Sequence, residues 1–155
     1  MKIDYYEKVF LILGVVMLFS GLGAILISVV GAGAMVPTPA GRVAPGEVRQ
    51  TAPFDNPGVR EISPGKYEAV IVAQIWSFTP NEIRVPAGSE VTFRVASADV
   101  IHGFFIENTQ INAMIIPGQI TEVEQTFDEA GEYLLICHEY CGIGHHNMWG
   151  RVVVE

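Results

Sequence analysis

The sequence predicts an all-β antiparallel sandwich carried behind one N-terminal transmembrane helix. Three observations point there. Residues 9–36 run for about 28 positions without a charge, and about 20 apolar residues suffice to cross a bilayer as a helix. From Tyr67 onward, short β-rich runs alternate with turn residues. No long amphipathic helix interrupts them, so the strands must bury their apolar faces against one another. Composition agrees. Half of the 155 residues are hydrophobic and 17% are charged, which excludes a disordered chain. The length allows one ordinary domain but not two sizeable cores. A net charge of −8 argues against a nucleic-acid partner, which needs a basic face. Two cysteines are too few for a disulfide framework, so they form one bridge or act as ligands.

Residues 1–8 are a flank in which Tyr5, Tyr6 and Lys8 suit the membrane interface. The run 9–36 is read as a retained membrane-spanning helix in contact with lipid. The alternative is a cleaved secretory signal ending at Ala32-Gly33-Ala34, but the run is about twice the length of a signal core. Ala24, Ser28 and Ala32 recur every four residues, with Gly14, Gly21, Gly23, Gly31 and Gly33 beside them. That spacing permits close helix approach and is equally ordinary in membrane helices. Lys2 and Lys8 before the run are matched by Arg42 and Arg49 after it, so charge does not set the orientation. Residues 37–65 are rich in Pro and Gly and aperiodic, which reads as an extended linker. Residues 66–155 form the domain. Its strands are YEAVIVAQI, NEIRVPAG, EVTFRVAS, HGFFIEN, INAMII, ITEVEQTF, GEYLLIC and GRVVVE.

The chemistry concentrates in CHEYCGIGHHNM, Cys137 to Met148, a loop between two of these strands. It holds both cysteines, three of the four histidines and a methionine. His102 lies upstream at a strand boundary, in Asp99-Val100-Ile101-His102-Gly103. Thiolate, imidazole and thioether are soft donors that select copper over hard cations. Zinc would accept two Cys and two His but has no use for Met148. The order His, Cys, His, Met on a sandwich is that of blue-copper electron carriers. A second cysteine four residues after the first lets two thiolates bridge two ions. A Cys137–Cys141 disulfide and a single-copper site remain the alternatives. His138 and His146 are read as facing solvent or supporting the site, Met114 as core, and Trp149 as packed over the site.

The loop resembles the dinuclear CuA motif, C-x-E-x-C-x3-H-x2-M, of the cytochrome c oxidase subunit II family, and D-V-I-H-G-F matches that family's first copper histidine. The resemblance covers about residues 65–155 and implies a cupredoxin-like Greek-key sandwich. With one membrane helix rather than the usual two, the chain looks like the short subunit II of B-type haem-copper oxidases. The resemblance implies Cys137 and Cys141 as bridging thiolates. His102 would bind one copper with Met148 as axial ligand, and His145 the other with the Glu139 carbonyl as axial donor. In longer members the Glu139 carboxylate also reaches a magnesium or manganese ion, a site that B-type members do not reliably keep. Trp76 falls near the family's electron-receiving aromatic residue, against the ordinary expectation that a tryptophan is core.

By the same resemblance, the chain would accept single electrons from cytochrome c and pass them to haem in catalytic subunit I. Oxygen reduction there is coupled to proton pumping. The copper domain would lie on the periplasmic side of the inner membrane. The four charged residues before the apolar run cancel, so the rest of the chain carries the whole acidic excess. That excess suits a basic donor, and suits plain solubility equally. A nitric oxide reductase subunit with the same copper centre, and a membrane-tethered copper-delivery module, are the rival readings.

Overall fold

The structure, a computed structural model, describes residues 4–31 and 39–155. One helix, α1 (Tyr5–Gly31), accounts for the first segment. It starts four residues ahead of the apolar run because Asp4 sits at its head. The Asp4 carboxylate accepts the Tyr5 N–H, and the Asp4 carbonyl accepts that of Lys8 at 3.0 Å. At a rise of about 1.5 Å per residue the helix is about 40 Å long, enough for the hydrocarbon layer. None of its residues is buried. The expected end at Val36, with Ala32, Gly33 and Ala34, lies outside the described residues.

Residues 39–155 form the second unit, a sandwich of two five-stranded sheets. Its strands are β1 (Gly58–Ser63), β2 (Lys66–Gln74), β3 (Ser77–Thr79), β4 (Glu82–Val85), β5 (Ser89–Ser97), β6 (His102–Ile106), β7 (Asn112–Ile115), β8 (Ile120–Phe127), β9 (Gly131–Ile136) and β10 (Trp149–Val154). All eight expected runs are present, joined by β1 and the short β3. One sheet has the order β1-β2-β5-β8 with β3 on β2, and the other β4-β10-β9-β6-β7. Most pairs are antiparallel, as expected, but β2 with β5 and β4 with β10 run parallel. The alternation in β5 puts Val91, Phe93 and Val95 into the core between the sheets. There Phe93 packs against Phe104 and Phe127 with centroids 5.6 and 6.2 Å apart.

The reading of 37–65 as a linker needs correction for its described part. Gly41 pairs with Ile120, Pro45–Gln50 is a short 3-10 helix, and Gly58–Ser63 is the strand β1. Val43, Val48 and Phe54 are buried in a second core with Val70, Val72 and Ala96. The segment is a strap laid over the outer face of the first sheet. β2 is therefore covered on both faces: Ala69, Ile71 and Ala73 face the main core while Val70 and Val72 face the strap. A strand buried twice reads as an unbroken apolar run, and β2 does. Beyond the strap that outer face carries an ionic row, Arg60–Glu68–Arg94–Glu122.

If the strap belongs to the domain, Phe54→Ala should cost about 3–5 kcal/mol of unfolding free energy, the usual range for a buried aromatic truncated to alanine. Denaturant unfolding of the full chain in detergent measures it. A loss under about 1 kcal/mol would return the segment to a tether.

Candidate metal centre

Strand pairing assembles the site. β9 and β10 are antiparallel and their ladder ends at Ile136 opposite Trp149. The Cys137 N–H to Met148 carbonyl bond, 3.2 Å, closes the base of the loop between them. β6 lies beside β9 with Phe105 opposite Ile136, which brings the start of β6, His102, next to Cys137. His102, Phe104 and Ile106 share the inward face of β6. The loop itself turns through Gly142, whose φ of +118° suits glycine, and a one-turn 3-10 helix at His145–Asn147.

The sequence-predicted donors converge. Cys137 Sγ and Cys141 Sγ are 3.8 Å apart. His102 Nδ1 lies 3.9 Å from Cys137 Sγ, and His145 Nδ1 lies 3.6 Å from Cys141 Sγ. Met148 Sδ is 3.6 Å from Cys141 Sγ, and the Glu139 carbonyl oxygen is 3.3 Å from Cys137 Sγ. Cys137 is 2% exposed and Met148 1%, and His102 is fully buried. Both thiols are free. Among the described residues, His102, Cys137 and Cys141 form the one cluster of histidine, cysteine or acidic side chains close enough to share an ion. The donors are an extension of the main core, since Cys137, Cys141 and Met148 pack with it. Soft donors on a dry, preformed scaffold fit copper.

Two thiols this close cannot ionise alike. Burial alone would push Cys137 up, but hydrogen bonding with His102 and the Gly103 N–H outweighs it and holds the thiol at about 6. Burial, and then the charge of Cys137, push Cys141 up to about 12. Burial likewise opposes a charged His102 ring, yet its contacts with Cys137 and Asp99 raise its pKa overall. Asp99 is driven up by burial and further down by the Ile75 N–H, His102 and the Val100 N–H, so it stays below its ordinary value.

Trp76 is not core. It sits in the β2–β3 turn, 41% exposed, and its indole N–H donates to the Cys141 carbonyl at 3.2 Å. Its ring lies on the loop so closely that a Cβ on Gly144 would run into it. Two other readings need correction. Met114 is 38% exposed, because in β7 it is Ile115 that points inward. Trp149 is 54% exposed rather than packed over the site, because β10 turns Gly150, Val152 and Val154 inward and Trp149 outward. His138 and His146 stay off the donor set. His138 Nε2 faces the Ala113 carbonyl at 3.2 Å, and His146 Nε2 faces Asn147 Nδ2. The chain meets His138 so tightly that a Cβ on Gly103 would lie 2.5 Å from its main-chain nitrogen. Sequence reading gave no role to two neighbours. Asp99 is 2.8 Å from His102 Nε2, and the exposed Tyr140 sets its ring edge-on to His145, centroids 5.9 Å apart. The carboxylate three residues before His102 was the available signal for the first.

A family model described as cytochrome C oxidase subunit II, periplasmic domain, matches residues 68–155. The chain is 41% identical to cytochrome c oxidase subunit 2 of Thermus thermophilus, across 97% of this chain and 92% of that one. It is similar to a chain in a cryo-EM structure of a heme-copper terminal oxidase dimer, with TM-score 0.69 and 34% identity over 97% of this chain and 99% of that one. The crystal structure of the periplasmic domain of subunit II of cytochrome oxidase from Bradyrhizobium japonicum shares the fold, with TM-score 0.53 and 22% identity over 57% and 83%.

Thiolate absorbance of the metal-free chain should rise in two widely separated steps, one near pH 6 and the other near pH 12. The sign for stability follows from an ordinary thiol value of 9.0. Cys137, depressed, adds stability that is full above pH 9 and lost as pH falls towards 6. Cys141, raised, adds stability below pH 9 that is lost as pH rises towards 12. A single step near 9 carrying both thiols would contradict the coupled pair.

Proposed function

The chain belongs to the cytochrome c oxidase subunit II family, and on that premise we propose that it is the electron-receiving subunit of a terminal oxidase. It takes single electrons from cytochrome c and passes them to haem in catalytic subunit I, where oxygen reduction is coupled to proton pumping. The observation that carries this is the buried thiol pair, 3.8 Å apart, with one imidazole Nδ1 beside each sulfur. When bound, a dinuclear copper centre supplies one-electron storage shared by two ions.

The side chains divide the labour. Cys137 and Cys141 would supply the thiolates that hold the metal. His102 and Met148 would serve one copper, and His145 with the Glu139 carbonyl the other. Met148 Sδ beside Cys141 Sγ, and the Glu139 oxygen beside Cys137 Sγ, put both remaining donors within reach of the thiol pair. The core around the sulfurs excludes water. Trp76, half in solvent and bonded to the Cys141 carbonyl, is the contact offered to the donor. Ile75, Val100, Ile101, Tyr140 and Ile143 add exposed apolar surface at this end of the sandwich. α1 spans the inner membrane, against subunit I, with the domain on the extracytoplasmic side. Burial of the donors speaks against a delivery module, whose ligands must be open to exchange.

Copper loading of the full chain in detergent should saturate at two ions. Its electron paramagnetic resonance should show seven copper hyperfine lines, the pattern of one electron shared by two nuclei of spin 3/2. One ion and four lines would sink the dinuclear reading. Cys137→Ser or Cys141→Ser should abolish the shared-electron signal. Met148→Leu should keep it and raise the midpoint potential, since a weak thioether favouring the oxidised state is lost.

Trp76→Leu should slow reduction of the copper by cytochrome c in stopped flow while leaving the copper spectrum unchanged. Its unfolding midpoint should move little, because the ring packs on the loop rather than in the core. Normal transfer rates in a destabilised variant would return Trp76 to a packing role.

A further inference from the structure

One carboxylate joins the turn that bears Trp76 to the first histidine of the metal centre. Asp99 Oδ2 accepts the Ile75 N–H at 2.7 Å. Its Oδ1 accepts the Val100 N–H at 2.7 Å and lies 2.8 Å from His102 Nε2. The opposite ring nitrogen, Nδ1, is the one directed at the sulfurs. Asp99 itself is held by its surroundings, its own N–H donating to Ser97 Oγ at 3.2 Å.

A metal at Nδ1 consumes that lone pair, so the ring proton must sit on Nε2, where Asp99 Oδ1 receives it. Without a metal the ring is tied closely at Nε2 to Asp99 alone, since Nδ1 stands 3.9 Å from Cys137 Sγ, and ring and carboxylate are free to shift together. We infer that Asp99 couples copper loading at His102 to the ordering of the Ile75–Trp76 turn, so that the surface carrying Trp76 is firm when the centre is filled. A donor protein thereby meets a formed docking face on loaded chains and a looser one on empty chains. The tie is reciprocal: a firm turn also favours metal binding. Trp76 has a second anchor at the Cys141 carbonyl, but that bond holds the indole and leaves the Ile75 main chain to Asp99. The inference rests on the copper reading of His102.

Amide hydrogen exchange at Ile75, measured on the full chain in detergent with and without reduced copper, tests it. Loading should slow exchange by about 5–150-fold, the usual span of a coupling between linked sites. Asp99→Asn should remove that slowing, because one amide oxygen cannot accept from both the turn and the ring. The same variant should weaken copper binding by about 10–100-fold and raise the midpoint potential. Phe54→Ala, destabilised through the strap, should keep the slowing, which separates coupling from a general loss of structure. A native chain that takes up copper with Ile75 exchange unchanged overturns the coupling and leaves the copper reading standing. So does full slowing retained in Asp99→Asn. A chain that takes up no copper overturns both.

Discussion

Two sulfurs 3.8 Å apart in a dry pocket cannot both carry charge unless cations lie beside them. The rest of the metal centre answers that constraint. Without a metal, the pair keeps one proton: Cys137 is eased into its charged form by His102 and the Gly103 N–H, and Cys141 is forced to stay neutral. With a metal ion the same closeness becomes an asset, since both sulfurs would be within reach of it. The protein's part is to keep the sulfurs together in either state. It does so by making them core residues, packed with the inward faces of both sheets, rather than by leaving them on a free loop.

Close main-chain approaches serve the same end. Gly103 lets β6 lie against the main chain of His138, which brings His102 up to Cys137. Gly144 clears room for the Trp76 ring on the ligand loop. Gly150 sits with its missing Cβ only 2.5 Å from the Asn81 carbonyl, so the end of the loop is locked to β4 as β10 begins. At each of these places a side chain would have to push apart elements that carry a donor. The metal centre is thus rigid through its glycines as much as through its hydrogen bonds.

The convergence of the six candidate donors was legible in the sequence because five of them occupy twelve consecutive positions, and the sixth, His102, carries its own short motif. The strands were legible because a half-buried strand alternates, as Glu90 to Val95 does. The strap was not, since irregular chain that packs through only Val43, Val48 and Phe54 has no period to read. Its trace lay elsewhere, in the uninterrupted apolar run of β2. Parallel pairing of β2 with β5 was equally hidden, because register between distant strands leaves no local mark. Met114 and Trp149 were misplaced for one reason: an apolar residue beside an inward-facing neighbour falls on the outer face of the sheet.

The strap also decides where the domain can be cut. The family match begins at residue 68, and a fragment started there would look complete by its copper motif and most of its strands. It would nevertheless bare Val70, Val72 and Ala96, three adjoining apolar positions beside the ionic row of that sheet face. Such a patch favours self-association, so a fragment begun at residue 68 should be the less soluble one. A fragment begun at residue 39 keeps the cover in place. The solubility of the copper domain is therefore written in the stretch between membrane and motif, outside the residues that carry its chemistry.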